Sequence, residues 1–183
     1  MGIKERIKME YRLMNKDIPQ FTRTPCYTVN MGINKYLKSW IDDHTLNMGL
    51  QLNPDFQRGY VWNKKQKIKY LEFLLMGGSS ARDIYFNCPG WMKDWKGDFV
   101  CVDGLQRLTA ILEFFENKFA IFGNYYSNEI EIGSFDPNVI IHVNDLQTKK
   151  EVLKWYLEFN SGGTVHTEAE LDKVRKMIEE EEK

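Results

Sequence analysis

The sequence predicts a single α/β domain of the α+β kind, in which short buried strands alternate with amphipathic helices. Three observations carry this. At 183 residues the chain suits one domain large enough to bury a core without disulfide or metal staples. A hydrophobic content of 43% and an aromatic content of 14% exclude a disordered chain. Apolar runs of strand length, Ile84-Tyr85-Phe86, Phe99-Val100-Cys101-Val102 and Val139 to Val143, stand between longer stretches of helical period.

The elements follow in order. Residues 4–15 read as a short helix with Ile7, Tyr11 and Met14 on one stripe, inside a basic arm. Pro19 and Pro25 bracket an extended connector, and Cys26 to Val29 reads as a strand. A helix follows over about 33–44, with Asp42-Asp43-His44 at its C-terminus, and residues 47–53 return the chain to an extended path. Lys64 to Met76 is helical by period: Ile68, Leu71 and Leu75 face inward, Lys64, Lys65, Lys67 and Lys69 mostly outward, and Gly77-Gly78 ends it. Leu105, Leu108, Leu112 and Phe115 mark the best-defined helix, with Asp103 as its expected N-cap and Asn117-Lys118 at its end. A helix over 148–159 precedes a loop, Asn160 to Thr164. A last helix opens on the capping-box pattern Thr167-Glu168-Ala169-Glu170 and ends in frayed glutamates.

Bulk charge excludes little. The net charge of −1 gives the whole molecule no electrostatic commitment to nucleic acid or membrane, which leaves room for a local basic face. Three cysteines at wide spacing, Cys26, Cys88 and Cys101, fit neither a disulfide framework nor a zinc site, so a reducing, cytoplasmic setting is expected. The charged N-terminus does not read as a signal peptide, and no apolar run approaches the ~20 residues of a membrane span.

Three segments could carry chemistry. In Val102-Asp103-Gly104-Leu105-Gln106-Arg107-Leu108-Thr109 a buried strand turns on a glycine into a helix. That leaves free backbone N–H groups and a positive dipole end, with Arg107 as a forked cation suited to phosphate. The competing reading is that Asp103 only caps and Arg107 pairs with a nearby acid. Arginine is unfavourable at a helix N-terminus, so either reading needs an anionic partner. In Asn53 to Trp62 a Gln57-Arg58 pair lies between aromatics, as a ligand-facing segment or as a loop pinned by Phe56, Tyr60 and Trp62. In Phe159-Asn160-Ser161-Gly162-Gly163-Thr164, two glycines make either an anion-cradling nest or an ordinary helix-breaking turn.

Taken together, "FQRGYVW", "VDGLQRLTAILEFF" and "FNSGGTVHTEAEL" resemble the FQR-x-Y-x-W, DGQQR-L-T and N-x-G-G/T-x-L segments of the GmrSD N-terminal domain family, over about residues 26–175. The family is related to the ParB/sulfiredoxin fold, so the resemblance implies a small mixed sheet flanked by helices. It divides the chain into a basic arm (1–25), the domain (26–178) and an acidic tail (179–183). It also implies a nucleotide-binding domain, with NTP hydrolysis that licenses DNA cleavage in restriction systems directed at phage. Carried onto matching positions, the nucleotide-binding residues are Gln57, Arg58, Gly104, Arg107, Asn160, Gly162 and Gly163. The catalytic set is Asp103, Gln106 and Arg107, with Asp103 as ligand to a Mg²⁺ that accompanies the NTP. Leu105 stands where the family usually has Gln. Implied partners are a nucleoside triphosphate, DNA, and a separate nuclease or a host or phage protein.

Two other readings stand beside this one. A stand-alone phage or prophage protein would bind a partner protein or nucleic acid without catalysis, and the absence of an HNH-type domain downstream fits it. A ParB-like nuclease would use the string Asp103…Glu116-Asn117-Lys118, although Glu116 and Lys118 read more simply as solvated helix-end charges. His142, in a strand, and His166, in a turn, have no convincing nucleophilic partner.

Overall fold

The computed structural model describes residues 26–93, 97–126, 137–161 and 167–181. The basic arm with its expected helix, Trp95, Gly162, Gly163 and His166 lie outside them.

Among the described residues the elements are β1 (Tyr27–Gly32), α1 (Lys35–Met48), α2 (Lys64–Leu75), β2 (Asp83–Asn87), β3 (Val100–Asp103), α3 (Leu105–Phe115), β4 (Asn138–Asn144), α4 (Lys149–Ser161) and α5 (Glu168–Glu180). The strands form one mixed sheet in the order β1-β4-β2-β3. Strand β4 is antiparallel to β1 and parallel to β2, and β2 is antiparallel to β3. The parallel pair needs a long crossover, which β3 and α3 supply.

Strand alternation decides where the core lies. Ile84, Phe86, Val139, Ile141 and Val143 share one face and pack against Leu37 and Ile41 of α1, Leu71 and Leu74 of α2, and Leu108 and Ile111 of α3. On the other face Val100 and Val102 meet Phe56, Val152, Trp155, Tyr156 and Val174. Helices α4 and α5 thus cover the β3 side of that face, while Thr28 on β1 and His142 on β4 keep solvent access.

Several boundaries differ from expectation for local reasons. Helix α1 continues a turn further, to Met48. Thr45 Oγ1 donates to the Ile41 carbonyl (2.7 Å), Asn47 Nδ2 to Asp43 Oδ1 (2.6 Å), and Gly49 closes the helix at φ 66°. Asp42-Asp43-His44 is therefore helix interior, with His44 Nδ1 donating to the Trp40 carbonyl at 2.7 Å. Helix α2 opens on a capping box between Asn63 and Gln66. Lys67 does not face solvent. It is 8% exposed and paired with Glu113 of α3 at 2.8 Å, so it ties two helices together. Asn160 lies in the last turn of α4, not in a loop, and its Nδ2 donates to the Tyr156 carbonyl at 2.8 Å. Thr167 caps α5 in the expected capping box with Glu170. No helix among the described residues is long and apolar enough to cross a membrane.

Candidate functional site

The site begins with an irregularity in β3. Tyr85 pairs with Asp103 while the next residue, Phe86, pairs with Cys101, so Val102 is an extra residue on its strand. Strict alternation would put Asp103 on the core face with Cys101. The extra residue turns it instead into the space beside Tyr85.

Gly104 then makes the turn into α3 at φ 100°, a conformation that glycine adopts without strain. A Cβ there would lie 3.1 Å from Ile84 Cα. Gly104, not Asp103, is the N-cap, and no side chain caps the first turn. The expected capping role of Asp103 is thereby corrected, because its carboxylate is engaged elsewhere. It forms an ion pair with Arg107 one turn along the helix, while Arg107 Nε donates to the Asp83 carbonyl at 3.1 Å. This pair supplies the anionic partner that an arginine in the first turn requires. It leaves the N–H groups of that turn without a capping side chain.

The first motif is sewn to the second by two glutamines. Gln57 Nε2 donates to the carbonyls of Cys101 (3.1 Å) and Val102 (2.8 Å), which uses both its donors and leaves Oε1 as an acceptor. Gln106 Oε1 accepts from the Val61 and Trp62 amides at 3.0 and 3.1 Å, and its Nε2 donates to the Gly59 carbonyl at 2.6 Å. Gln106 thus holds the Gly59–Trp62 loop against the start of α3.

Gln57, Arg58, Trp62, Asp103, Gly104, Leu105, Gln106, Arg107 and Asn160 line one pocket of about 70 Å³. All three sequence motifs contribute to it, although Gly162 and Gly163 lie outside the described residues. The lining holds two arginines against one carboxylate, already paired, at the positive end of α3. Arg58 shares this pocket with Asn160 of α4, and its charge opposes the burial that pushes the nearby Tyr156 hydroxyl up to about 12. Leu105 is buried in the core, so the departure from the family's Gln puts an apolar side chain at a core position.

Other sequence candidates do not converge. Asp103 precedes α3 and Glu116 caps its far end, so the 11 helical residues at about 1.5 Å each hold them roughly 16 Å apart. Lys118 pairs with Glu116 at 2.8 Å. Among the described residues no group of three or more His, Cys, Asp and Glu side chains is arranged to hold a metal ion. The buried thiols are unreactive in character, since burial pushes Cys88 up to about 11 and Cys101 higher still.

Sequence reasoning missed one cluster. His142 Nε2 bonds Asp83 Oδ1 at 2.7 Å, its Nδ1 lies 3.3 Å from Thr28 Oγ1, and its ring stacks on Tyr85 with centroids 4.4 Å apart. A carboxylate only accepts, so Nε2 carries the proton. In the neutral ring Nδ1 then accepts from the Thr28 hydroxyl. The alternating pattern of β4 would place His142 off the core face. Its partners come from strands up to 114 residues away, which no local signal reports.

A family model described as the GmrSD restriction endonuclease N-terminal domain matches residues 37–137, more than half of the chain, including the first two motifs. No curated protein and no solved structure matches the chain. The chain belongs to the N-terminal domain family of the GmrSD restriction endonucleases, whose systems act on DNA.

Proposed function

We propose that this domain binds a nucleoside triphosphate, with its phosphates against the first turn of α3, and that the bound nucleotide governs a DNA-directed activity. The observation that supports it most is the uncapped first turn of α3 in a pocket lined by Arg58 and Arg107. Backbone N–H groups, a positive helix end and two guanidinium forks make an anion site suited to phosphate. At about 70 Å³ the pocket has room for one phosphate-sized group, well below the roughly 300 Å³ and upward of whole-ligand pockets.

In this reading Arg107 exchanges part of its contact with Asp103 for phosphate oxygens, while its Nε stays anchored on the Asp83 carbonyl. Arg58 offsets phosphate charge from the loop side, and Gln57 Oε1 and Asn160 orient water or ribose hydroxyls. The released Asp103 carboxylate orients the attacking water. Gln106, already bonded to three backbone groups, acts as a positioning residue for the loop. As the only carboxylate among the described pocket residues, Asp103 fits a Mg²⁺ brought in by the phosphates, which would neutralise developing charge on them.

A second reading, binding without turnover, is favoured by the prior pairing of Asp103 with Arg107 and by the core position of Leu105. Calorimetry with the four NTPs, with and without Mg²⁺, combined with phosphate release, separates the two. Absence of binding by all four sinks the nucleotide reading. Binding without release selects the second.

A further inference from the structure

A second, larger pocket lies on the open face of the sheet. It measures about 250 Å³ and is lined by Cys26, Tyr27, Thr28, Tyr85, His142, Asn144, Trp155 and Phe159. Its inner walls are rings in fixed mutual arrangement. Tyr85 stacks on His142 at an 8° interplanar angle, and Phe159 meets Tyr85 edge-on with centroids 4.5 Å apart. Trp155 closes the α4 side, 6.2 Å from Tyr85. The Asp83 and Thr28 bonds hold the imidazole in place on β4.

One polar group in this pocket has no structural task. Asn144 is 6% exposed, and among the described residues its side-chain amide has no hydrogen-bond partner. Its neighbour across the parallel register, Asn87, shows what a structural amide does there. Asn87 donates to the Leu146 carbonyl at 3.0 Å and accepts from the Leu146 amide at 2.8 Å. Among the described residues the buried side-chain polar atom without a partner is Trp91 Nε1, so the Asn144 amide atoms reach pocket solvent. A solvent-facing donor–acceptor pair beside flat rings suits a planar ligand with polar edges.

Residues of the two pockets are neighbours in the sheet and along α4. Tyr85 lies opposite Asp103 in the β2–β3 register, and Phe159 directly precedes Asn160 on α4. Each of these pairs puts one residue in each pocket.

We propose that the Tyr85–His142–Trp155–Phe159 pocket holds the base of a free nucleotide whose phosphates lie at Arg58 and Arg107, and that the Asn144 amide reads the base edge. This rests on the phosphate reading of the first pocket. Aromatic walls accept any base, because every base has a π face, whereas one amide distinguishes bases by donor and acceptor pattern. The site therefore binds all nucleotides and prefers some through Asn144.

The test compares the four NTPs, the four nucleosides and inorganic tripolyphosphate on the wild type and on Asn144→Ala. Its side-chain amide makes no bond, so Asn144→Ala should melt with the wild type. The expected result is that NTPs bind at least about fivefold tighter than tripolyphosphate, the low end of what stacking one base contributes. Asn144→Ala should reduce the preference among the four bases and leave tripolyphosphate affinity unchanged. Equal affinities for NTP and tripolyphosphate would overturn the base pocket while leaving the phosphate site standing. Nucleosides that bind with Asn144 dependence, where tripolyphosphate does not bind, would uphold the base pocket and remove the phosphate reading.

Cys26 gives a readout that needs no variant. It is exposed and lines the pocket, so saturating NTP should slow its alkylation and tripolyphosphate should not. An unchanged rate would overturn the proposal. Protection by a single-stranded oligonucleotide but by no mononucleotide would overturn the free-nucleotide source and assign the pocket to a base of DNA.

Discussion

Arg107 closes on Asp103 one helical turn away, so the cation and the carboxylate of the candidate site neutralise each other before any ligand arrives. The pair is part-exposed, and such i,i+4 pairs contribute only about 0–1 kcal/mol to stability. A doubly charged phosphate can therefore displace the carboxylate at small cost. Replacing Arg107 should act on binding far more than on folding.

Arg107→Ala should weaken triphosphate binding roughly ten- to a hundredfold, the effect of losing a charge-assisted contact of about 1.5–3 kcal/mol. Asp103→Asn removes the internal competitor, so without Mg²⁺ it should bind triphosphate as tightly as the wild type or tighter, while Mg²⁺-dependent phosphate release stops. Calorimetry and a release assay on both variants check this. Unchanged affinity in Arg107→Ala would make the arginine a structural partner of Asp103 and nothing more.

Gln106→Ala should loosen the Gly59–Trp62 loop, because three backbone groups lose a partner at once. The expected loss is about 1–3 kcal/mol of stability. Faster hydrogen exchange should be confined to the Val61 and Trp62 amides. Gln106→Glu keeps the acceptor for both amides and loses the Gly59 bond, so it should recover most of the protection. Exchange unchanged at both amides in Gln106→Ala would remove the clamp from the account.

Local pattern made much of this legible. The 3–4 spacing of Leu105, Leu108 and Leu112 reports a buried helix face, and Thr167 with Glu170 reports a helix start, because both signals lie within a turn of chain. The register step that re-aims Asp103 is not local. It depends on which residue of β2 opposes Val102, and no spacing encodes that. The same holds for Lys67: the nearby Lys64, Lys65 and Lys69 are exposed, while Glu113, 46 residues on, decides its burial. Gln57, Arg58, Asp103 and Arg107 could be grouped from the resemblance of their motifs. The unpaired Asn144 amide could not, because the ring walls beside it come from β2, β4 and α4 together.

Stability should fall as pH rises from about 10 to 12. Burial raises the Tyr70 and Tyr156 hydroxyls from 10.0 to about 12, with Arg107 and Arg82 opposing at Tyr70 and Arg58 opposing at Tyr156. In that window the folded chain holds protons that the unfolded chain has released, so the unfolded state binds fewer protons and the slope of stability with pH is negative. Their contribution is complete below pH 10 and gone above 12. Tyr70→Phe with Tyr156→Phe should flatten melting temperature against pH over this interval relative to wild type. Identical slopes would show that these hydroxyls titrate normally.

The last prediction separates the turn from the core beneath it. Gly104→Ala places a Cβ at φ 100°, where L residues are strained, and 3.1 Å from Ile84 Cα. Strand β2 is paired on both sides, to β4 and to β3, so Ile84 has little freedom to retreat. The expected cost is about 1–3 kcal/mol, or roughly 2–12 °C in a domain of this size. Leu108→Ala, at a fully buried position, should cost about 2–5 kcal/mol through the cavity it leaves. The two variants should part company in binding. Well below either melting temperature, Gly104→Ala should weaken tripolyphosphate binding, because its turn sets the first N–H groups of α3. Leu108→Ala should bind as the wild type does. If both variants bound tripolyphosphate equally well, the phosphate would not be held by the first turn of α3, and the anion site would have to rest on the arginines alone.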